Sequence, residues 1–372
     1  MAGIAAIVPY KIYPYNSGGQ KSIALFYQFF SKKSDVTLIC TSNNTKPEYA
    51  EYTIAPLLGN TVFRYINPFL YFKVSAFINK NKINVIIFEQ PYFGWLGYLL
   101  KKSLKVKIII RSHNIEGLRF KSLGKWWWKI LWHYEKWVYS IANYTFFIQE
   151  NDKDYAIKNF SLIPGKTAVI TSGIDLKQQP DFKEGEQAKR QLTELYKLNE
   201  DETIILFNGA YDYKPNREAL EAIIYTINPD LLLKAGFRYK IIICGRHIPT
   251  EIMDQPFPNV ILAGFVADID MYYKGSDIFI NPVNDGGGIK TKLVEALGYN
   301  ITSVSTINGA FGIDKEICNG KLLLSANANY ADFAAKIVEA REVQSSIGEE
   351  FYNHFYWGNI IDKAIRIIKT DA

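Results

Sequence analysis

Short apolar runs alternate along the chain with longer stretches of helical periodicity. In the first half, the runs predict strands at Ile4–Val8, Val36–Cys40, Val85–Phe88, Val106–Ile110, Thr145–Ile148 and Ala168–Thr171. Between them, the spacing of apolar residues predicts amphipathic helices over Ser22–Phe30 and Lys129–Ile141. Because the strands are apolar on both faces, we expect a parallel sheet that helices cover on each side.

The alternation breaks once and then restarts. Residues from Gly173 to about Gly185 are polar and lack periodicity, which predicts a linker. Beyond it, the pattern predicts helices near Arg217–Ile227, Ile269–Lys274 and Lys292–Tyr299, and strands at Ile204–Asn208, Tyr239–Cys244, Val260–Leu262, Ile278–Asn281 and Ile301–Val304. The predicted domains are residues 1–172, with a C-terminal helix over about 352–372 that packs back on them, and residues 173–351. The fold class is α/β, with two Rossmann-like domains and an interdomain cleft.

Composition and charge narrow the class of protein. Of the 372 residues, 48% are hydrophobic, and the net charge is +6. This charge favours anionic ligands or lipid surfaces, and it lacks the concentrated basicity of a nucleic-acid-binding protein. Three separated cysteines and an N-terminus without signal-peptide features predict a cytoplasmic protein. The histidines and cysteines show no metal-ligand spacing, so we expect no structural zinc. We also expect no cofactor.

The segment Asn281–Gly298 carries the densest group of chemically informative residues, between a predicted strand and a predicted helix. The helix start offers unpaired amides and partial positive charge, which suits a diphosphate. Lys290 and Lys292 add full positive charge, and Glu295 can accept two hydrogen bonds from a ribose diol. Consecutive glycines let the backbone approach a ligand: Gly286, Gly287 and Gly288. The alternative is a glycine turn followed by an ordinary amphipathic helix.

The order and spacing of these and other motifs resemble the family 4 type of GT-B glycosyltransferases over about residues 105–360. The matching segments are Arg111–Glu116, Gln149–Asp152, Ser172–Asp175, Phe207–Asn216, Cys244–Arg246, Gly264–Ile269 with Tyr272 and Tyr273, Gly286–Glu295 with Gly298, Ser305 and Thr306 with Gly309 and Gly312, and Tyr356 with Trp357. The resemblance implies a retaining, metal-independent hexosyltransferase of polysaccharide biosynthesis. Its substrates would be a nucleotide-diphosphate sugar donor, mainly on the second domain, and a glycan or lipid-linked acceptor, mainly on the first.

The resemblance also implies individual site residues. Lys290, Lys292 and His113 are the expected catalytic residues, with the lysines stabilising the charge of the leaving diphosphate. Gly18 and Gly19 would bring backbone amides to the acceptor or a phosphate. A histidine that merely orders its loop and an ordinary Gly-Gly turn are the alternatives. The expected donor and nucleotide contacts are Gly209, Lys214, Gly245, Arg246, Phe265, Val266, Asp285, Gly286, Gly287, Gly288, Ile289, Thr291 and Glu295.

Two positions depart from the family's pattern. The family often has an acidic residue where this chain has Gly287, so Asp285 or backbone amides would contact the donor sugar instead. Many relatives have an arginine where this chain has Ala210, which shifts the phosphate contacts to the lysines. Asp268-Ile-Asp270 looks like a metal-binding DxD motif, as does Asp152-Lys-Asp154. Asp268 directly precedes a predicted helix, however, and is better explained as its N-cap.

The Trp- and Lys-rich segment Lys121–Trp137 has the composition of a helix at a lipid interface. Helical spacing predicts a core stripe of Trp127, Leu131, Tyr134 and Val138, and a second aromatic face of Trp128, Trp132 and Tyr139. Contact with an anionic membrane surface is one interpretation. Simple packing and stacking on an acceptor are the others.

Two other functions remain open. A nucleotide-sugar 2-epimerase of the same fold would need paired acid–base residues, and only His113 and scattered carboxylates are available. A non-catalytic, two-lobed sugar-binding protein would be expected to carry an export signal. A Rossmann dehydrogenase is disfavoured because no GxGxxG motif follows the first strand.

Overall fold

The computed structural model describes residues 3–15 and 17–370, which form two compact units. The first runs to Gly173 and takes up the chain again from Trp357, and the second spans Ile174–Tyr356. The sequence analysis placed residue 173 at the start of the second domain. It predicted that the C-terminal helix begins at about residue 352. No helix among the described residues is long and apolar enough to cross a bilayer.

The first unit is a seven-stranded parallel sheet covered by helices on both faces, with strand order β3-β2-β1-β4-β5-β6-β7. Its strands are β1 (Gly3–Ile7), β2 (Val36–Thr41), β3 (Thr53–Leu58), β4 (Ile83–Glu89), β5 (Lys107–Ser112), β6 (Tyr144–Phe147) and β7 (Thr167–Val169). Its helices are α1 (Gly18–Ser31), α2 (Phe69–Lys80), α3 (Gly94–Leu104), α4 (Glu116–Ser122), α5 (Trp128–Ile141), α6 (Glu150–Phe160) and α15 (Trp357–Thr370).

The second unit is a six-stranded parallel sheet, with strand order β10-β9-β8-β11-β12-β13. Its strands are β8 (Thr203–Ala210), β9 (Tyr239–Arg246), β10 (Val260–Gly264), β11 (Ile278–Asn281), β12 (Thr302–Thr306) and β13 (Leu322–Ser325). Its helices are α7 (Phe182–Tyr196), α8 (Lys214–Ala222), α9 (Asn228–Leu232), α10 (Thr250–Met253), α11 (Ile269–Gly275), α12 (Thr291–Gly298), α13 (Tyr330–Ala340) and α14 (Glu349–Phe355). A π-helical turn, Ile223–Ile227, joins α8 to α9. The predicted class, two Rossmann-like domains, is confirmed.

The C-terminal helix α15 packs on α1 within the first unit. The Trp357 indole is fully buried, and its ring meets that of Phe26 edge-on at 6.1 Å. Lys33, just after α1, forms an ion pair of 2.6 Å with Asp362 of α15. Burial of large aromatic side chains is among the strongest contributions to packing, so this contact fixes α15 to α1.

Two strands were missing from the prediction, and both lie at a sheet edge. Strand β3 contains Pro56, which removes a backbone donor and breaks the apolar run that marked the other strands. Strand β13 has only four residues, too short to stand out in the sequence. The predicted linker also ends earlier than expected, because Asp181 caps α7 by accepting a hydrogen bond from the Lys183 amide.

Part of the Trp- and Lys-rich segment packs inside the first unit. Tyr139, assigned to the second aromatic face, is buried, and its hydroxyl oxygen lies 2.7 Å from both the Glu135 carboxylate and the Ser112 hydroxyl. Trp132 donates through its indole N–H to the Tyr155 hydroxyl and packs edge-on against Phe160. These two residues of the second aromatic face therefore pack within the first unit, which is one of the interpretations that the sequence left open.

Candidate functional site

The predicted donor residues gather at the carboxyl edge of the second sheet. From β8 the chain continues to β9 on one side of the sheet, and from β11 it continues to β12 on the other side. The loops that follow β8 and β11 therefore diverge. Ligands bind at such a point in open α/β sheets. Gly209 and Ala210 end β8, and Asp285–Lys290 lies in the loop from β11 to α12. The chemically informative residues of the sequence therefore lie where the topology leaves room for a ligand.

Glycine is required at two positions of this edge. Gly286 has φ of 93°, and a Cβ atom there would lie 2.5 Å from the Tyr213 hydroxyl oxygen. Gly245 has φ of 139°, and its Cβ would lie 1.8 Å from the Gly209 carbonyl oxygen on the neighbouring strand. Both backbone conformations strain any L side chain. The close approach of these segments therefore depends on the glycines that the sequence singled out.

Lys290 folds back over the glycine loop that precedes it. Its ammonium group donates to the carbonyl oxygens of Gly286 at 2.7 Å, Gly288 at 2.9 Å and Gly287 at 3.4 Å. Burial lowers the pKa of Lys290 to about 8, and the Asp285 carboxylate opposes that shift. Lys290 thus places positive charge beside the loop and also holds the loop together. The sequence did not predict this second, structural role.

Lys292 is anchored from the opposite side, by the end of β8 and the start of α8. Its ammonium group donates to the Asn208 carbonyl oxygen and to the Asn216 side-chain oxygen, both at 3.0 Å, and lies 4.4 Å from the centre of the Phe207 ring. Burial, and then the charge of Lys290, lower the pKa of Lys292 to about 7. Two lysine ammonium groups are therefore held next to each other, and the pKa of each is lowered. Such perturbed pKa values are expected of a site that receives an anion.

The start of α12 and Glu295 complete this edge. Helix α12 has no side-chain N-cap, so its first amides are left for solvent or a ligand. The Glu295 carboxylate accepts a hydrogen bond of 3.3 Å from the Tyr273 hydroxyl group. That hydroxyl also accepts from the Asn208 side chain at 2.8 Å, and the Tyr273 ring stacks on Tyr299 with centres 5.3 Å apart. The position of Glu295 is thus fixed through a buried tyrosine.

A shallow pocket opens at the carboxyl ends of β9 and β10. It has a volume of about 440 Å³ and is lined in part by Gly245, Arg246, His247, Gly264 and Phe265. The Arg246 guanidinium lies 4.6 Å from the centre of the Phe265 ring, which is 62% exposed. An exposed aromatic face beside a planar cation suits the stacking of a flat heterocycle.

The remaining predicted donor residues differ from one another in burial and in contacts. Asp285 is exposed and accepts from the Gly286 amide at 2.6 Å, and Thr291 is the first residue of α12. Ile289 and Val266 pack on the core of the second unit. Lys214 begins α8, where its side chain is 80% exposed and ion-pairs with Glu218 at 3.4 Å. Of these residues, Lys214 has the most peripheral surroundings.

In the first unit, His113 belongs to a buried charge network. Its Nε2 atom lies 2.5 Å from the carboxylate of Glu89, the last residue of the neighbouring strand β4. Glu89 also accepts from the Tyr27 hydroxyl group at 2.6 Å and from Arg111 at 3.2 Å. Burial alone would raise the pKa of Glu89, but the charge of Arg111 and the hydrogen bond from His113 outweigh it and lower the pKa to about 2.

The ionised Glu89 fixes the tautomer of His113. A carboxylate can only accept, so Nε2 must carry the proton, which leaves Nδ1 as the nitrogen able to face a ligand. Sequence reasoning missed Glu89, although a glutamate that ends a fully apolar strand run was a usable signal. The next residue, Gln90, is buried with φ of 72°, a strained conformation of the kind found at functional sites.

A polar cavity of about 450 Å³ lies at the carboxyl edge of the first sheet. Gly19 lines it, next to the N-cap Ser17, which accepts from the Gln20 amide at 3.4 Å, and helix α1 begins at Gly18. A Cβ atom at Gly19 would meet nothing within 4 Å, so packing does not require glycine there. Arg64 forms another wall and donates to the Pro9 carbonyl oxygen at 2.7 Å.

Neither DxD-like segment has the surroundings of a metal site. Asp268 caps α11 by accepting from the amides of Asp270 and Met271, as predicted. Asp152 lies in the first turn of α6, where burial raises its pKa to about 6. Among the described residues, no group of three or more His, Cys, Asp and Glu side chains is placed to hold a metal ion.

The chain is similar to known glycosyltransferases along most of its length. The Glycosyltransferase Family 4 model matches residues 10–178, and the Glycosyl transferases group 1 model matches residues 202–342. A curated relative is the Escherichia coli UDP-Gal:alpha-D-GlcNAc-diphosphoundecaprenol alpha-1,3-galactosyltransferase. It is 22% identical over 333 residues, which are 84% of this chain and 82% of that protein.

Solved structures of the same fold include sucrose-phosphate synthase from Thermosynechococcus elongatus, with a TM-score of 0.75 and 15% identity over 100% of this chain and 99% of that one. HepE of Anabaena in complex with UDP has a TM-score of 0.74 and 12% identity, with both chains covered completely. These likenesses and the two consecutive family matches agree with the motifs at the carboxyl edges of both sheets. The chain belongs to the family 4, group 1 glycosyltransferases and has their GT-B fold of two Rossmann-like domains.

Proposed function

We propose that this protein transfers a hexosyl group, with retention of anomeric configuration and without a metal ion, from a UDP-sugar to a lipid-linked glycan. The observation that carries the proposal is the glycine loop at the switch point of the second sheet, flanked by two half-buried lysines. Among similar proteins, the Escherichia coli relative is named for UDP-galactose and a diphosphoundecaprenol acceptor, and HepE was solved with UDP-glucose.

The reaction needs no protein nucleophile. The bond between the anomeric carbon and the phosphate oxygen breaks, and its electron pair leaves with the diphosphate. The acceptor hydroxyl then bonds to the anomeric carbon from the same side and gives its proton to the leaving phosphate. Lys290, Lys292 and the first amides of α12 stabilise the growing negative charge, and they do so best where water is scarce. His113, oriented by Glu89, would contact the donor sugar through Nδ1.

The nucleoside and the acceptor have separate places in this proposal. The base stacks beside Arg246 and Phe265, and Glu295 accepts hydrogen bonds from the ribose diol. The polar cavity by Gly19 suits the sugar and phosphate groups of the acceptor, since its walls offer hydroxyl, amide and cationic groups. A cytoplasmic location fits a donor of this kind, which is made in that compartment.

Turnover of the donor separates this function from its alternatives. Candidate UDP-hexoses are incubated with and without a lipid-linked acceptor, and the products are resolved by chromatography. A transferase gives a glycosylated acceptor and UDP in equal amounts, with and without a chelator present. An epimerase gives a new UDP-sugar without acceptor, and a binding protein leaves the donor intact; either of these results would replace the proposal.

Substitution of Lys290 tests the site itself. Lys290→Ala should lower turnover by at least about 10²-fold, the usual cost of removing one charge-stabilising group. Lys234→Ala is the matched control, because it removes an exposed cation at the opposite, amino edge of the same sheet and should retain most activity. Near-normal turnover of folded Lys290→Ala would remove this lysine from the mechanism.

A further inference from the structure

Three tyrosine side chains gather beside the polar cavity of the first unit. Tyr13 and Tyr15 follow β1, and Tyr49 lies in the connection from β2 to β3. The Tyr13 ring meets the Tyr15 ring edge-on at 5.9 Å and the Tyr49 ring edge-on at 6.4 Å. Tyr49 is 57% exposed, and Tyr13 and Tyr15 are half-buried. These three residues, here called the tyrosine cluster, therefore leave aromatic surface open to a ligand.

Hydrogen bonds between two loops hold the tyrosine cluster in place. The Asn44 side-chain oxygen accepts from the Ile12 amide at 2.8 Å and from the Tyr13 amide at 3.1 Å. The Thr45 amide donates to the Tyr13 carbonyl oxygen at 3.1 Å, and the side chains of Tyr13 and Tyr49 hydrogen-bond to each other. Because the loops after β1 and β2 are tied together, little ordering is needed when a ligand binds.

The tyrosine cluster and the polar cavity are built from the same two loops. Tyr10 and Lys11 line the cavity from the loop after β1, and Thr41 lines it from the end of β2. The Asn44 side chain, which holds the Tyr13 amide through its oxygen, donates through its nitrogen to the Thr41 hydroxyl oxygen at 3.0 Å. The cluster therefore extends the cavity and is not a separate site.

The cavity also adjoins the buried network of His113. Burial, and then the charge of the Glu89 carboxylate, raise the pKa of Tyr10, so this residue of the cavity wall lies near Glu89. Glu89 in turn contacts His113. Strand order β2-β1-β4-β5 separates the loop after β2 from the loop after β5 by about 14 Å. A short oligosaccharide spans that distance, whereas a single sugar ring does not.

The groups around the tyrosine cluster suit a sugar. One face of a pyranose ring carries C–H groups that pack on aromatic rings, and its edge carries hydroxyl groups that need polar partners. Asn43 and Asn60 offer side-chain amides on the cavity wall. Arg64 offers less, because its Nε, Nη1 and Nη2 atoms already donate to protein oxygens. The walls therefore fit a ligand that is rich in hydroxyl groups.

We propose that the tyrosine cluster binds a second sugar ring of the acceptor, one that does not receive the transferred hexosyl group. This ring stacks on Tyr13 and Tyr49, while the receiving sugar lies in the polar cavity nearer His113. The protein thus selects acceptors with at least two sugar rings. A second copy of the chain fits less well, because three side chains are far too small a patch for a stable dimer. That the ring belongs to the acceptor rests on the proposed function.

Saturation-transfer NMR with free sugars tests this subsite without any donor present. The probes are the methyl glycosides of glucose, galactose, mannose and N-acetylglucosamine, together with disaccharides built from them. At least one disaccharide should receive saturation from the aromatic protons of the wild-type protein. It should also bind at least about fivefold more tightly than its component methyl glycosides, because it gains the contact with the tyrosine rings.

Variants of the exposed ring show where the disaccharide binds. Tyr49→Ala should lower its affinity about tenfold, as expected for the loss of one aromatic contact, and Tyr49→Phe should retain most of the binding. Tyr15→Ala should change the affinity in the same direction. The matched control is Tyr225→Ala, which removes a tyrosine of the second unit that is 56% exposed and should bind as the wild type does.

Three results would overturn the proposal. The first is that no sugar of the panel binds in a manner that depends on Tyr49. The second is displacement of the bound disaccharide by UDP, which would assign the tyrosine cluster to the donor. The third is a dimer in sedimentation that Tyr49→Ala dissociates. Failure of the transfer assay is distinguishable from these results, because binding that depends on Tyr49 would then persist and only the proposed function would be lost.

Discussion

Raising the pH should weaken the binding of UDP, because both lysines of the glycine loop have lowered pKa values. Burial brings Lys290 to about 8 and Lys292 to about 7. The diphosphate itself is already fully ionised above about pH 7. Binding therefore requires proton uptake by the lysines, and the free protein becomes a poorer receptor as they lose their protons.

The size of the effect follows from the two pKa values. Between pH 7 and pH 9, the protonated fraction of Lys290 falls about tenfold, and that of Lys292 about fiftyfold. If both charges are needed, the dissociation constant for UDP should rise by up to about 500-fold over this range. Stability of the free protein should move the other way, because the unfolded state binds more protons than the native state between about pH 7 and pH 10.

Calorimetric titration of UDP in buffers with different heats of ionisation measures both quantities. At pH 8 the binding heat should depend on the buffer with the sign of proton uptake, and the affinity should fall from pH 7 to pH 9. Lys234→Ala should show the same pH dependence, because that lysine is exposed and lies between α9 and β9, away from the glycine loop. Affinity that is constant over this range, with no proton uptake, would refute the assignment of the lysines to the diphosphate.

Three further changes test other parts of the site. Glu295→Ala should raise the dissociation constant for UDP about tenfold through loss of hydrogen bonds to the ribose; an unchanged constant would refute the ribose contact. Glu89→Gln should lower turnover while UDP affinity is kept, and ¹⁵N NMR should show that His113 loses its fixed tautomer; an unaltered tautomer would remove Glu89 as a positioning residue. Gly286→Ala should destabilise the fold by about 1–2 kcal/mol in urea titrations because of its positive φ, whereas Gly165→Ala, which meets open space, should be near neutral.

The sequence predicted the parallel sheets well because their central strands are apolar on both faces. Strand Ile278–Asn281 agrees with β11 at both ends, and the helix predicted over Ile269–Lys274 is α11 with one residue more. Prediction failed where the signal depends on pairing rather than on pattern. Strand β3 lies at an edge and contains Pro56, so its register comes from β2 and not from its own alternation.

The donor loop was predictable, but the partners of its charges were not. Spacing alone placed Lys290 and Lys292 at the start of a helix, and the structure agrees. That Lys290 binds its own loop carbonyls, and that Lys292 reaches Asn216 on α8, depends on how β8 and β11 pair.

A crystal structure of the protein with UDP tests the central claim most directly. We expect the diphosphate at the amino end of α12, within hydrogen-bond distance of the glycine-loop amides and beside the ammonium groups of Lys290 and Lys292. The ribose hydroxyls should reach Glu295. A complex in which UDP lies elsewhere, or in which both ammonium groups keep only their present protein partners and leave the diphosphate uncontacted, would contradict the account.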